Sequence, residues 1–121
     1  MPRAVLIAAR RTPVAPRGGA LSRIDAPELA AHVARACLAD AGLPTDAIDE
    51  LILANALGAG GNPARVAALA AGLPERVGGL TIDRQCTGGL DALTLAAALV
   101  ETGRARCVLA AGAESSSRRP L

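Results

Sequence analysis

Apolar positions along the chain fall into two kinds of block, short unbroken runs and longer segments with helical spacing, separated by glycine and proline. Residues 4–9, A-V-L-I-A-A, form an unbroken run of the kind shown by a parallel strand covered on both faces, and they predict a first strand. Residues 10–24 hold Pro13, Pro16, Gly18 and Gly19 and read as loop. A helix then opens at Asp25, with Glu28 three residues on as a capping-box partner, and runs to about Asp40, where Gly42 stops it. Leu29, Val33, Ala36 and Cys37 predict its buried stripe.

The alternation continues to the end of the chain. Pro44 and Thr45 start a short turn, and residues 51–54 read as the second strand. Asn62 suits an N-cap and Pro63 the first helical position, so G-A-G-G-N-P-A-R at residues 58–65 reads as a loop feeding a helix that ends near Gly72. Residues 79–83 predict the third strand, a helix after Gly88 runs to Thr102, and residues 107–111 predict the fourth strand. Strands alternating with helices predict an α/β fold, a mostly parallel sheet with helices packed on it.

The helix after Gly88 differs from the others. Leu90, Ala92, Leu93, Leu95, Ala96, Ala97, Ala98, Leu99 and Val100 make it apolar nearly all round, with Asp91 and Thr94 its only interior polar residues. Such a helix is expected to be buried on every side, and a four-stranded sheet covers one side only. A partner chain or a further half of the fold is expected to cover the rest.

Composition narrows the possible functions. At 121 residues the chain suits one domain with one core, and 51% hydrophobic against 20% charged residues is a globular balance. There is no aromatic residue, so the core is built from Ala, Leu, Val and Ile. All 13 basic residues are Arg, scattered rather than massed, and the net charge is +2, which gives no footprint for nucleic acid. The apolar run at residues 4–9 is too short for a signal-peptide core or a membrane span, and Pro2, Pro13 and Pro16 would break a transit helix. A soluble cytoplasmic protein is expected, with no membrane partner. Cys37, Cys86 and Cys107 form an odd set without C-x-x-C spacing, and His32 is the one histidine, so neither a disulfide framework nor a zinc site is supported. Residues 58–61 lack the Lys and Ser or Thr of a phosphate loop and read as a turn.

Candidate chemistry centres on Cys86. In T-I-D-R-Q-C-T-G-G-L-D-A-L, residues 81–93, a strand ends in a cysteine and two glycines open the apolar helix. Gly88 and Gly89 permit a sharp turn and a close ligand approach, and the first-turn amides suit developing negative charge. The helix dipole favours a thiolate there by roughly 0.3 to 1 kcal/mol, up to about 2 when partly buried. Since about 1.36 kcal/mol moves a pKa by one unit, the dipole lowers the thiol only part of the way, and an activating base is expected. His32 lies mid-helix beside the apolar stripe and reads as a boundary or packing residue. The residues alone leave Cys86 open between a small core hydrophobe and a nucleophile, while Cys37 and Cys107 read as packing.

Four segments in register resemble the thiolase family, 3-ketoacyl-CoA thiolases and acetyl-CoA acetyltransferases. They are R-T-P at residues 11–13, N-P-A-R at 62–65 with A-A-L-A-A-G-L after it, D-R-Q-C-T-G-G-L at 83–90, and A-A-G-A-E-S at 110–115, which is similar to a G-G-x-E segment. The resemblance implies that residues 1–121 are part of a thiolase N-terminal domain, in a layered fold of two similar halves with helices on both sheet faces. It implies that Cys86 is the catalytic nucleophile, taking an acyl group from a CoA thioester and passing it to CoA or to an acetyl-CoA carbanion, in fatty acid metabolism. Acyl-CoA and CoA are the implied partners, no bound cofactor or metal is implied, and the family forms homodimers or tetramers with the strand at residues 81–83 near the dimer contact. The family's activating histidine, second cysteine and water-holding asparagine have no matching position here, so the isolated segment is expected to be inactive. Gly88 stands where serine is usual, Asp83 where asparagine is common, and Ala111 and Ser116 where the family has glycine and methionine. The competing expectations are a non-enzymatic module of the same fold, or a subunit whose site a partner completes.

Overall fold

The computed structural model describes residues 3–120. Its elements are α1 (Ala26–Ala41), a short 3-10 turn (Thr45–Ala47), β1 (Glu50–Ala54), α2 (Pro63–Ala70), β2 (Leu80–Ile82), α3 (Gly88–Glu101) and β3 (Val108–Gly112). The fold is α/β with a parallel sheet. Its helix boundaries follow from local chemistry. Asp25 caps α1 by accepting the Glu28 amide at 3.0 Å, and Gly42, at φ +66°, ends it in the left-handed conformation that favours glycine. Asn62 caps α2 by accepting the Arg65 amide at 3.3 Å, with Pro63 at the first helical position.

The sheet has three strands in the order β2-β1-β3, all parallel. From β1 the chain crosses to β2 on one side, then returns past β1 to β3 on the other. Right-handed crossovers in opposite directions put their helices on opposite faces. Accordingly Leu51 and Leu53 of β1 pack in a core with α1 and α2, while Ile52 packs with Ala92 and Ala96 of α3. The two-residue period of a strand therefore assigns β1 to both cores at once, and all three residues are 1% exposed or less.

Residues 4–9 are not a strand, so the predicted four-stranded sheet has three. Val5, Leu6 and Ile7 are 78%, 73% and 59% exposed. The Ala4 amide donates to Glu101 at the end of α3 at 3.3 Å, and Arg10 donates twice to the Asp40 carboxylate near the end of α1. These ties hold the segment to helix ends rather than in hydrogen-bonding register with β3. A cleft of about 1320 Å³ is lined by this segment on one side and by α1, β3 and α3 on the other.

The predicted stripe of α1 is also corrected. Leu29, Val33, Ala36 and Cys37 are only half-buried, and the buried face is Ala26, Ala30, Ala31, Ala34 and Leu38. Alanine lets α1 approach α2 closely, where Ala64, Ala67 and Ala68 meet it in the same core, and this turns the larger side chains toward the cleft.

The all-round apolar α3 buries only Gly88, Ala92 and Ala96, leaving Leu90 69% and Leu93 39% exposed. No helix among the described residues is long and apolar enough to cross a membrane.

Candidate functional site

The carboxyl ends of the three strands meet the start of α3, and this is where ligands bind in open α/β sheets. Cys86 is exposed there, two residues before α3 begins. Two overlapping turns carry it: the Thr87 amide and hydroxyl both donate to the Arg84 carbonyl, at 3.1 and 3.0 Å, and the Gly88 amide donates to the Gln85 carbonyl at 3.3 Å. Gln85 sits at φ +50°, the one described non-glycine residue in the left-handed region. That conformation is strained for an L-residue and persists only where its surroundings hold it. The Asp83 carboxylate provides such a hold by accepting the Gln85 amide at 2.8 Å. The peptide amides of Cys86 and Gly89 have no acceptor among the described residues, so they are free to donate to a ligand.

Beneath the turn the backbone is closely packed. A Cβ on Gly88 would stand 2.9 Å from the Cβ of Ala54, and one on Gly112 would stand 3.6 Å from the Cα of Gly89. The last residue of β1 and the last residue of β3 thus form a floor for the first turn of α3. Arg84 Nε lies 3.2 Å from Asp91 Oδ2, joining the turn to the helix, but off the line of a hydrogen bond, so that oxygen has an ionic neighbour and no hydrogen-bond donor. The pair is half-exposed and adds little to stability.

The structure does not bring the other sequence candidates to Cys86. His32 is exposed on α1, a boundary residue rather than a core one, and it lines a cleft with Arg10–Pro13 that does not include Cys86. Cys37 and Cys107 are half-buried free thiols lining the large cleft beside β3, which reaches Gly89 and Leu93 but not Cys86. Burial pushes the Cys107 thiol up, with a smaller contribution from the Asp49 carboxylate. Among the described residues no cluster of His, Cys, Asp or Glu could hold a metal ion.

Two features at the site escape a reading of the sequence. One is the strain at Gln85, since side-chain identity does not mark a positive φ here. The other is Asn55, 6% exposed and hydrogen-bonded to Glu114 across 59 residues. Its only signal was a polar residue directly after an apolar strand. The N-P-A-R motif has a structural role in this chain. Asn62 Nδ2 donates to Gly79 O at 3.1 Å, and Arg65 Nη1 donates to the carbonyls of Glu75 and Val77 at 3.0 and 2.7 Å. Together they pin the loop that leads into β2.

The model of the thiolase N-terminal domain matches residues 4–121. The chain belongs to the thiolase family. It is 44% identical over 118 residues to the acetyl-CoA acetyltransferase of Cupriavidus necator, covering 96% of this chain and 30% of that protein. The crystal structure of the Bacillus anthracis acetyl-CoA acetyltransferase superposes with a TM-score of 0.93 at 38% identity, over 98% of this chain and 30% of that one. The Acat5 thiolase from Ascaris suum, solved in complex with coenzyme A, gives 0.91 at 33% identity over 94% and 30%. The thiolase chain described here therefore spans about a third of the length of these relatives. Two departures from the family pattern have a structural reading. A Cβ at position 88 would crowd that of Ala54, so glycine fits this chain where the resemblance implies serine. Asp83 keeps, through its carboxylate, the hydrogen bond to Gln85 that an asparagine carbonyl could also accept.

Proposed function

We propose that this chain carries the nucleophile portion of a thiolase-type acyltransferase site, with Cys86 as the acylated residue and acyl-CoA as the donor. The observation that supports this most is an exposed cysteine held by a strained turn at the start of a helix, beside amides with no acceptor. In the reaction the Cys86 thiol loses its proton, Sγ bonds to the thioester carbonyl carbon, and the carbonyl–sulfur bond of the donor breaks. CoA leaves as a thiolate and takes up a proton, leaving a Cys86 thioester. Free amides near the carbonyl oxygen would stabilise the charge that develops on it. The acyl group then passes to CoA or to an acetyl-CoA carbanion. No imidazole faces Cys86 among the described residues, so the isolated chain is expected to be acylated without turnover.

The reading extends to place and assembly: a cytoplasmic enzyme of fatty acid metabolism, working as a homo-oligomer. β2, with Leu80 40% exposed, offers an edge for such a contact. Exposure of Leu90 and Leu93 beside the nucleophile favours a second reading, a thiolase-like module whose site a partner completes.

Intact mass after incubation with acetyl-CoA tests the first reading. One acetyl group is expected on the wild-type chain and none on Cys86→Ala. An unmodified wild-type chain under excess thioester sinks the proposal. Recovery as a stable, monodisperse monomer with a sharp unfolding transition counts against the partner-completed module.

A further inference from the structure

One hydrogen-bond network lies under the Cys86 turn. Glu114 Oε1 accepts from Asn55 Nδ2 at 2.9 Å and from the Leu57 amide at 3.1 Å, and Oε2 accepts from the Ala56 amide at 2.7 Å. Asn55 Nδ2 also donates to Ala113 O at 2.9 Å, Asn55 Oδ1 accepts the Gly58 amide at 3.0 Å, and the Asn55 amide donates to Ile82 O at 3.0 Å. Two side chains thus join the carboxyl ends of β1 and β3, and the backbone amide of Asn55 ties the same point to the end of β2. Ala54 and Gly112, which form the floor under Gly88 and Gly89, are the strand residues next to this junction, and the Ala113 amide donates to Ala54 O at 3.1 Å.

We propose that Glu114 is a positioning residue for Cys86: its carboxylate fixes the ends of β1 and β3, and their close contact with Gly88 and Gly89 fixes where α3 starts and where the thiol stands. A carboxylate suits this place because it only accepts, and all three partners are donors. Glutamine would turn an NH2 group toward one of those donors, and aspartate would fall one methylene short. The inference rests on the reading of Cys86 as the acylated thiol.

The test compares Glu114→Gln, Glu114→Asp and Ala54→Gly with the wild type in the full chain, reading two things by peptide mass spectrometry. One is acetylation of Cys86 by acetyl-CoA. The other is the pH profile of iodoacetamide alkylation at Cys86, with Cys37 and Cys107 as references in the same molecule. Since a displacement of about 1 Å can cost as much as about a hundredfold in rate, Glu114→Gln is expected to slow Cys86 acetylation by roughly ten- to a hundredfold. Its Cys86 alkylation profile is expected to differ from that of the wild type as the thiol leaves its place at the helix mouth, with Cys37 and Cys107 unchanged. Glu114→Asp is expected to recover part of both effects, and Ala54→Gly to reproduce them with the carboxylate intact. An unchanged Cys86 profile in Glu114→Gln or Ala54→Gly overturns the proposal, as does faster alkylation of all three thiols together, which marks general loosening. If the wild-type chain takes up no acetyl group, the acyltransferase reading fails, and the alkylation profiles still decide the role of Glu114.

Discussion

The two faces of the sheet are covered by helices that differ both in apolar content and in burial. Under α1 and α2 the core holds thirteen buried residues, from Ala30 to Val77, whereas under α3 it holds Ile52, Ala92 and Ala96. Yet α3 is the more continuously apolar helix, with Leu90 and Leu93 turned to solvent. The difference teaches that apolar content sets how much surface a helix can bury, while the neighbours available set how much it does bury. The site sits at the seam, with Cys86 at the start of the sparsely covered helix and its floor supplied by β1 and β3, which both cores share.

Truncating the shared strand is the strongest way to break this contrast. Leu53→Ala, at 0% exposure under α1 and α2, is expected to destabilise by about 2–5 kcal/mol, including the cavity it leaves. Leu93→Ala on α3 is expected to change stability by no more than about 0.5 kcal/mol. Urea midpoints at constant slope read both, and equal losses would show that the α3 face is covered in solution.

The glycines at the site give the next largest contrast. Gly88→Ala places a methyl group 2.9 Å from Ala54 Cβ, an overpacking expected to cost about 1–3 kcal/mol, and Ala54→Gly in the same chain should recover most of it. Gly89→Ala meets nothing within 4 Å and should gain up to about 1 kcal/mol from lower backbone entropy in the unfolded chain. If the double variant is no more stable than Gly88→Ala alone, the contact with Ala54 does not seat the helix.

Helix starts separate the faces by a smaller margin. Asn62→Ala removes the α2 cap and its bond to Gly79 O, for about 0.5–2 kcal/mol. Thr87 precedes α3 without capping any of its amides, since its hydroxyl donates to Arg84 O, so Thr87→Ala should cost less. Thermal midpoints of the two variants check the order.

Sequence reading succeeded where the cause is local. Asp25 with Gly42 and Asn62 with Pro63 set helix ends within a few residues, and the glycines after Cys86 mark a real turn into α3. It failed where the cause is distant. Residues 4–9 have strand character, but a strand needs a partner, and ties to Asp40 and Glu101 hold the run elsewhere. Helical spacing points to a stripe of Leu29, Val33, Ala36 and Cys37 on α1, while close approach to α2 selects the face with Ala30, Ala31 and Ala34. Asn55 and Glu114 gain their meaning only when β1 and β3 become neighbours, through the pairing of Ala54 with Gly112. Family resemblance pointed to Cys86, and the structure added the strained Gln85 and the floor beneath it.

The smallest expected effect lies at the opposite end of the sheet from Cys86. Asp49 accepts the Arg106 amide at 2.7 Å and the Cys107 amide at 3.3 Å, with Arg76 at 3.5 Å, and these partners, the Arg106 amide foremost, hold its carboxyl below the usual 3.8. A carboxyl lowered by folding stabilises the fold above its unfolded pKa, and that contribution disappears as pH falls from about 4 through the lower folded value. Asp49→Asn should therefore lose stability at neutral pH and show a shallower decline below pH 4, with solvent screening keeping the effect small. The same substitution removes the carboxylate that adds to the upward shift of Cys107, so Cys107 should alkylate faster near its ordinary value of 9.0. Cys86, at the far end of the strands, should alkylate at the wild-type rate. A change at Cys86 in Asp49→Asn would mean that the two ends of the sheet are mechanically coupled, contrary to a site seated only on Ala54 and Gly112.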